Sequence, residues 1–249
     1  MGAVRGPALR LSGLRKRFGR TTAVAGVELS VPSGSCYGLV GPRGAGKSTV
    51  LAMAAGLVRP DKGTAEVFGA DVRTDPQRAR PAVGLVPDLV ALPPWPRGRE
   101  LLSSLGRLCG EEGPAAEARA GALLALLELD GAQRASPPEY DPGLRKRMGL
   151  AIALVHAPRL LLVDEPFDAV DARSAAVMGA VLTQFVAAGG SVLLAGAAVA
   201  PVERLCDHAA VMIGGSVVAS GPMAPGGDGL ARVVDELSGG ERIPPRAPA

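Results

Sequence analysis

Gly41-Pro42-Arg43-Gly44-Ala45-Gly46-Lys47-Ser48-Thr49 carries the spacing G-x-x-x-x-G-K-[ST], that of a backbone loop wrapped around a phosphate. Its glycines let the chain curl so that successive N–H groups point inward at phosphate oxygens. Lys47 supplies a point charge for the terminal phosphates, and Ser48 offers a hydroxyl to Mg²⁺. A helix leaving the loop aims its positive end at the same spot. The flanks agree: Ser35–Val40 predicts a short buried strand and Ser48–Leu57 a helix. A chain with 34 glycines offers chance Gly-rich turns, but strand before and helix after favour the nucleotide reading. Only four lysines occur (Lys16, Lys47, Lys62 and Lys146), and one of them falls where the loop demands it. Gly41 to Thr49 are therefore all candidate nucleotide-binding residues.

Working outward, Leu160-Leu161-Leu162-Val163-Asp164-Glu165-Pro166 predicts an apolar strand ending in two carboxylates. Such a strand is expected directly beside the loop strand. Its terminal Asp164 can then hold Mg²⁺, and Glu165 can polarise an attacking water. Solvated acids capping a buried strand would look the same in isolation; their place after a phosphate loop favours catalysis.

Around these two segments strands and helices alternate. Residues 8 to 40 predict short strands broken by turns, and 63–69 and 82–86 further strands. Residues 98 to 130 predict a helical insert, with apolar repeats near 3.6 in Glu100–Leu102 and Ala116–Leu129. Pro93, Pro94, Pro96, Pro137 and Pro138 punctuate that insert. A helix is expected over Leu144–His156, a strand over 159–163, a helix over 172–188, a strand over 191–195 and a short helix near 201–206. Strands 209–213 and 216–219 complete the pattern. It indicates an α/β domain with a partly parallel sheet. After Gly221 the chain turns Pro- and Gly-rich, and residues 223–249 are expected to be a mobile tail.

Composition narrows the function. The chain has 249 residues, 47% hydrophobic, enough for one sizeable core or one domain with a subdomain. Net charge is +3 and aromatics are 3%, which gives no stacking platform for nucleic acid. Cys36, Cys109 and Cys206 are odd in number and far apart in sequence, as expected of reduced thiols. With His156 and His208 as the only histidines, a His/Cys metal site is not expected. Met1–Arg10 lacks the apolar core of a signal peptide. Ala175–Val202 contains no charged residue, which is long enough to test as a membrane span. Gly189-Gly190 and the polar Thr183, Gln184 and Ser191 instead predict helix, turn and buried strand.

Taken together, these segments give the chain a family likeness. It resembles an ATP-binding subunit of the ABC transporter family, from about Leu9 to Gly221. The resemblance is carried by Arg17-Phe18-Gly19, Gly41–Thr49, Val83-Gly84-Leu85-Val86-Pro87-Asp88, Tyr140–Arg147, Asp164-Glu165-Pro166, Asp168-Ala169-Val170-Asp171 and Val202–Asp207. It looks closest to bacterial subunits that pair with separate membrane subunits and export drugs, lipids or polymers. The resemblance implies a P-loop NTPase core of ABC type over residues 4–222, with an antiparallel β subdomain and a small helical subdomain at about 89–158. It implies ATP and Mg²⁺ as ligands, with Phe18 on the adenine and Gly41, Pro42, Arg43, Gly44, Ala45, Gly46, Lys47, Ser48, Thr49 and Asp88 around the nucleotide. Ser48, Asp88 and Asp164 would hold the metal, and Glu165 would be the general base, with Lys47 beside it. It further implies a head-to-tail homodimer or heterodimer with Asp171 at its interface. A membrane permease would be the partner, at the cytoplasmic face of the membrane. A soluble relative acting on DNA or ribosomes is disfavoured by the single ATPase unit and the lack of a basic arm.

The chain also departs from the family pattern. Where the family has Ser-Gly-Gly or Ser-x-Gly, this chain has Asp141-Pro142-Gly143. Asp141 would face a phosphate with negative charge, and Pro142 has no N–H to give. As helix start, the substitution is comfortable. The family's His after strand 191–195 is replaced by Ala197, and Asp88 stands where Gln is usual. Binding of ATP with slow hydrolysis is expected, or, as an alternative, a regulatory or structural subunit with little turnover. Leu237-Ser238-Gly239-Gly240-Glu241 spells the family signature, but it follows Asp164 in the chain and Pro244-Pro245 comes next, so it is expected to be a chance match.

Overall fold

The computed structural model describes residues 6–131 and 137–223, together with Leu230, Ala231, Val233, Val234 and Glu236. Chain segments that are apolar throughout became the buried strands of a six-stranded sheet. These are β3 (Cys36–Val40), β7 (Leu160–Asp164) and β8 (Ser191–Gly196), each buried at every position. Strands covered on both faces have no reason to alternate polar and apolar residues. With β6 (Val83–Val86), β9 (His208–Ile213) and β10 (Ser216–Pro222), the order is β10-β9-β3-β8-β7-β6. All neighbours are parallel except β10, which returns antiparallel along β9.

A second, antiparallel sheet has the order β2-β1-β4-β5, from β1 (Leu9–Phe18), β2 (Thr21–Val31), β4 (Lys62–Val67) and β5 (Ala70–Asp71). Residues 8–40 thus form two long strands and β3, where several short ones were expected. Register shifts between Leu11 and Leu14 and between Lys16 and Arg17 interrupt the alternation without ending the strands.

The α-helices that frame the sheets are α1 (Lys47–Ala54), α2 (Pro76–Ala79), α3 (Gly98–Leu108), α4 (Gly113–Leu126), α5 (Pro142–Leu154), α6 (Ala172–Ala187) and α7 (Val199–Leu205). The expected insert over 98–130 divides at Cys109–Glu112, where Pro114 opens a new helix in its first turn. α4 buries Ala116, Ala120, Leu123 and Leu124 along one stripe, the last three of them in the core on one face of the six-stranded sheet.

The period of two along each strand sorts the core into two layers. Leu161, Val163, Val192 and Leu194 face α4, α5 and α6, while Leu160, Leu162, Leu193 and Ala195 face α1 and the antiparallel sheet. The six-stranded sheet is thus a filling between two layers, with its carboxyl edge left open for a site.

The uncharged run from Ala175 to Val202 is split among α6, β8 and α7, and no helix among the described residues is long and apolar enough to cross a membrane. Cys36 and Cys206, remote in sequence, lie with their sulfurs 3.3 Å apart in the core, both as free thiols. His208 was expected at the surface; it is half-buried and stacks on Tyr37 with ring centroids 5.8 Å apart. Leu230 and Val234 pack against the core, and Ala231 N–H donates to Glu203 Oε1 at 3.1 Å. The rest of the expected tail, with the Leu237–Glu241 match, lies outside the described residues.

Candidate functional site

Gly41–Gly46 join β3 to α1, and Lys47, Ser48 and Thr49 form the first turn of that helix. Gly46, the residue before α1, has φ 101°, and a Cβ there would lie 2.2 Å from the Ala23 carbonyl oxygen. Only glycine fits this contact between the loop and β2. No acidic side chain sits in the first turn of α1 itself to offset its positive end. Lys47 is buried, at 5% exposure, and folds back to donate to the carbonyls of Gly41 (2.8 Å) and Pro42 (3.1 Å).

The expected adjacency of β7 and β3 is not what forms: β8 runs between them. Its carboxyl end therefore ties the loop to the acids. Gly41 N–H donates to the Gly196 carbonyl at 3.3 Å, and Glu165 N–H to the Ala195 carbonyl at 2.8 Å. The Glu165 carboxylate is held from two sides, with Oε1 3.3 Å from Lys47 Nζ and Oε2 accepting from Ala197 N–H at 3.0 Å. Glu165 has φ 45°, a left-handed backbone that a non-glycine residue adopts at a cost of about 1 kcal/mol or more. Sequence reasoning named Ala197 only for the imidazole it lacks; its backbone N–H role belongs to any residue type and leaves no sequence signal.

Asp164, buried at the end of β7, has its carboxyl pushed above the usual range. Burial is the main cause; a Ser48 hydroxyl bond and Lys47 oppose it, and Glu165 and Asp88 add to it. Asp164 Oδ1 is buried with no hydrogen-bond partner. A raised acid contributes stability at low pH that is lost as pH rises through its folded value. In metal-free buffer, Asp164→Asn should therefore melt higher than the parent at neutral pH, with the gap closing on acidification. Thermal unfolding in chelator across that range checks this; a gap independent of pH would contradict it.

Asp88, after β6, accepts from Lys146 Nζ on α5 at 3.2 Å, and Lys146 also donates to the Glu165 carbonyl. Arg43 pairs with Asp168 at 2.8 Å on the surface, where such a pair contributes little. Beside Glu165 lies a cleft of about 340 Å³, lined by Arg43, Phe167, Asp168, Ala197 and Pro201 among others. Phe18 is half exposed at the closed end of the β1–β2 hairpin, with Lys16 Nζ 5.5 Å from its ring centre.

At α5 the substituted segment does what its chemistry suggests. Asp141 caps the helix, its Oδ1 accepting from Leu144 N–H at 2.7 Å, and Pro142 fills the first turn. A Cβ on Gly143 would lie 2.3 Å from Ser174 Oγ and 2.6 Å from Asp171 Oδ2, so glycine lets the starts of α5 and α6 touch. Asp171 caps α6 through Ser174 N–H (2.9 Å) and the Ser174 hydroxyl (2.6 Å), bonds that hold its carboxyl below the usual range. His156 Nε2 lies 2.9 Å from the Val83 carbonyl, where it braces β6.

Residues 24–168 match the ABC transporter family model. The chain belongs to the ABC transporter family. Among curated relatives of this ABC chain, the daunorubicin/doxorubicin resistance ATP-binding protein DrrA of Streptomyces peucetius is 38% identical over 214 residues, covering 86% of this chain and 65% of DrrA. The Nod factor export ATP-binding protein I of Burkholderia lata is 38% identical over 208 residues, covering 84% of this chain and 68% of that protein. The chain thus spans about two thirds of the length of these relatives. An ATP-binding subunit of an ABC transporter superposes with TM-score 0.79 at 24% identity, covering 91% of this chain and 92% of that one. An ATP-binding cassette in a dimeric, post-hydrolysis state with ADP and Pi also gives 0.79, at 21% identity, covering 87% and 99%. Both likenesses are of fold.

Proposed function

We propose that residues 4–222 form the ATP-hydrolysing unit of an ABC exporter, driving transport through a separate membrane permease. The observation that carries this is the Glu165 carboxylate held between Lys47 of the phosphate loop and Ala197 N–H, one residue beyond Asp164. A base so placed can take a proton from water beside a bound terminal phosphate. The names of the relatives, drug resistance and Nod factor export, favour export. In this reading Phe18 stacks on adenine, and Gly41–Thr49 hold the phosphates.

Ser48, Asp88 and Asp164 would hold Mg²⁺. The unpartnered, buried Oδ1 of Asp164 fits this. Mg²⁺ bound by few protein ligands takes the rest of its shell from phosphate and water. When bound, it neutralises phosphate charge.

The working unit is proposed to be a dimer of this chain, or of this chain with a second ATP-binding subunit, with Asp171 at the interface. The helical subdomain at about 89–158 would meet the permease at the cytoplasmic face of the membrane. Nucleic acid has no place in this scheme.

Hydrolysis is proposed to be weak. Asp141 uses its carboxyl to cap α5, Pro142 has no N–H, and Ala197 offers no imidazole to the cleft beside Glu165. Those same features favour the second reading, a subunit that binds ATP with little turnover. ATP binding and phosphate release on the purified protein test both. We expect binding with slow turnover, raised about 10–10²-fold by Ala197→His combined with Asp141→Ser. Turnover as fast as an unaltered family member would remove the weakened-hydrolysis part. Turnover absent and not restored would favour the second reading, and no binding would end both.

A further inference from the structure

Lys146 is one of only four lysines, yet it is buried in α5, on the helix face it shares with Gly143, Gly149 and Leu150, with a side chain 10% exposed. An ammonium so placed persists only if its protons find partners. It has two, from two different elements. It donates to the backbone carbonyl of Glu165, just past β7, and to Asp88 Oδ1 at 3.2 Å, just past β6.

The segment after β6 is docked on α5 at a second point. One helical turn beyond Lys146, a Cβ on Gly149 would come 2.7 Å from Val90 Cγ2, so Val90 packs directly on the helix backbone. The Glu165 carbonyl that Lys146 holds also accepts from Asp168 N–H at 3.3 Å. The Glu165 backbone is left-handed, at φ 45°, and hence sensitive to what fixes its peptide.

We propose that Lys146 is a positioning residue for the Glu165 carboxylate, clamping the carbonyl of the base's own residue, with Asp88 as the counter-ion that holds the clamp in place. The clamp joins three elements, so a shift of residues 88–90 is transmitted to the base through one side chain. Asp88, Asp164, Glu165 and Asp168 crowd this edge of the sheet, with Lys47, Lys146 and Arg43 as the cations among them. The contact is present whatever the turnover; its kinetic consequence rests on the ATPase reading.

The test compares Lys146→Met and Lys146→Arg with the parent in full-length protein. Misplacing a reacting group by about an ångström costs roughly 10²-fold. Lys146→Met should therefore lower kcat about 10–100-fold while KM for ATP stays within about threefold, and Lys146→Arg, which keeps charge and donors, should recover most of the loss. In the same samples, amide hydrogen exchange at Asp168 and Ala197, which donate to the Glu165 carbonyl and carboxylate, should be about tenfold faster in Lys146→Met. An unchanged kcat, or equal losses in kcat, affinity and melting temperature with no recovery in Lys146→Arg, overturns the proposal. If the parent turns over no ATP, the ATPase reading has failed by itself, and the exchange decides alone. Faster exchange at Asp168 and Ala197 keeps the clamp, and unchanged exchange removes it. Should Lys146→Met not fold, Lys146→Gln carries the same comparison.

Discussion

Glu165→Gln is expected to keep ATP bound while phosphate release falls by about 10²–10⁴-fold, the range for loss of a general base. The side chain is nearly isosteric. Its oxygen can still accept from Ala197 N–H, now at 3.0 Å, and Lys47 keeps its bonds to the Gly41 and Pro42 carbonyls. What the amide cannot do is take a proton. Losing the charge also removes one cause of the raised Asp164 carboxyl and one negative group beside a triphosphate, so nucleotide affinity should hold or rise. Titration with a fluorescent ATP analogue beside a phosphate-release assay separates the two effects. Turnover within about threefold of the parent would mean that another group serves as base.

Gly46→Ala should be the most damaging single methyl in the loop. The residue sits at φ 101°, and its new Cβ would lie 2.2 Å from the Ala23 carbonyl oxygen and 2.9 Å from Met212 Cε. The left-handed backbone costs about 1–3 kcal/mol, and forcing β2 and β9 apart about 1–3 kcal/mol more. The loop would survive only by opening, and with it the array of inward N–H groups. We expect a large drop in urea midpoint together with loss of ATP binding. Gly44→Ala is the control: at φ 81° it shares the backbone cost, but a Cβ there meets nothing within 4 Å. If Gly44→Ala and Gly46→Ala proved equally damaging, backbone strain and not the contact with β2 would be the cause.

The sequence by itself determined the local chemistry. The glycine spacing and Lys47 marked the loop, apolar runs marked β3, β7 and β8 as strands, and Asp141-Pro142 marked a helix start that α5 then used. Each of these is decided within a few residues, by backbone sterics or by local burial, so a linear string can carry it. The register shifts that join short apolar stretches into β1 and β2 were less legible, because a bulge breaks the alternation while the hydrogen bonds continue with another strand.

Only the tertiary structure decided what stands between the loop and the acids. Strand order depends on how crossovers pack over the whole sheet, and no neighbouring residues encode that β8 enters between β3 and β7. Its consequence is carried by backbone groups, the Gly196 and Ala195 carbonyls and the Ala197 N–H, which every residue type supplies. The sulfurs of Cys36 and Cys206 and the bridge from Lys146 to Asp88 and Glu165 were hidden for the same reason. Sequence separations of 170, 58 and 19 residues collapse to contact only when the layers close around one sheet.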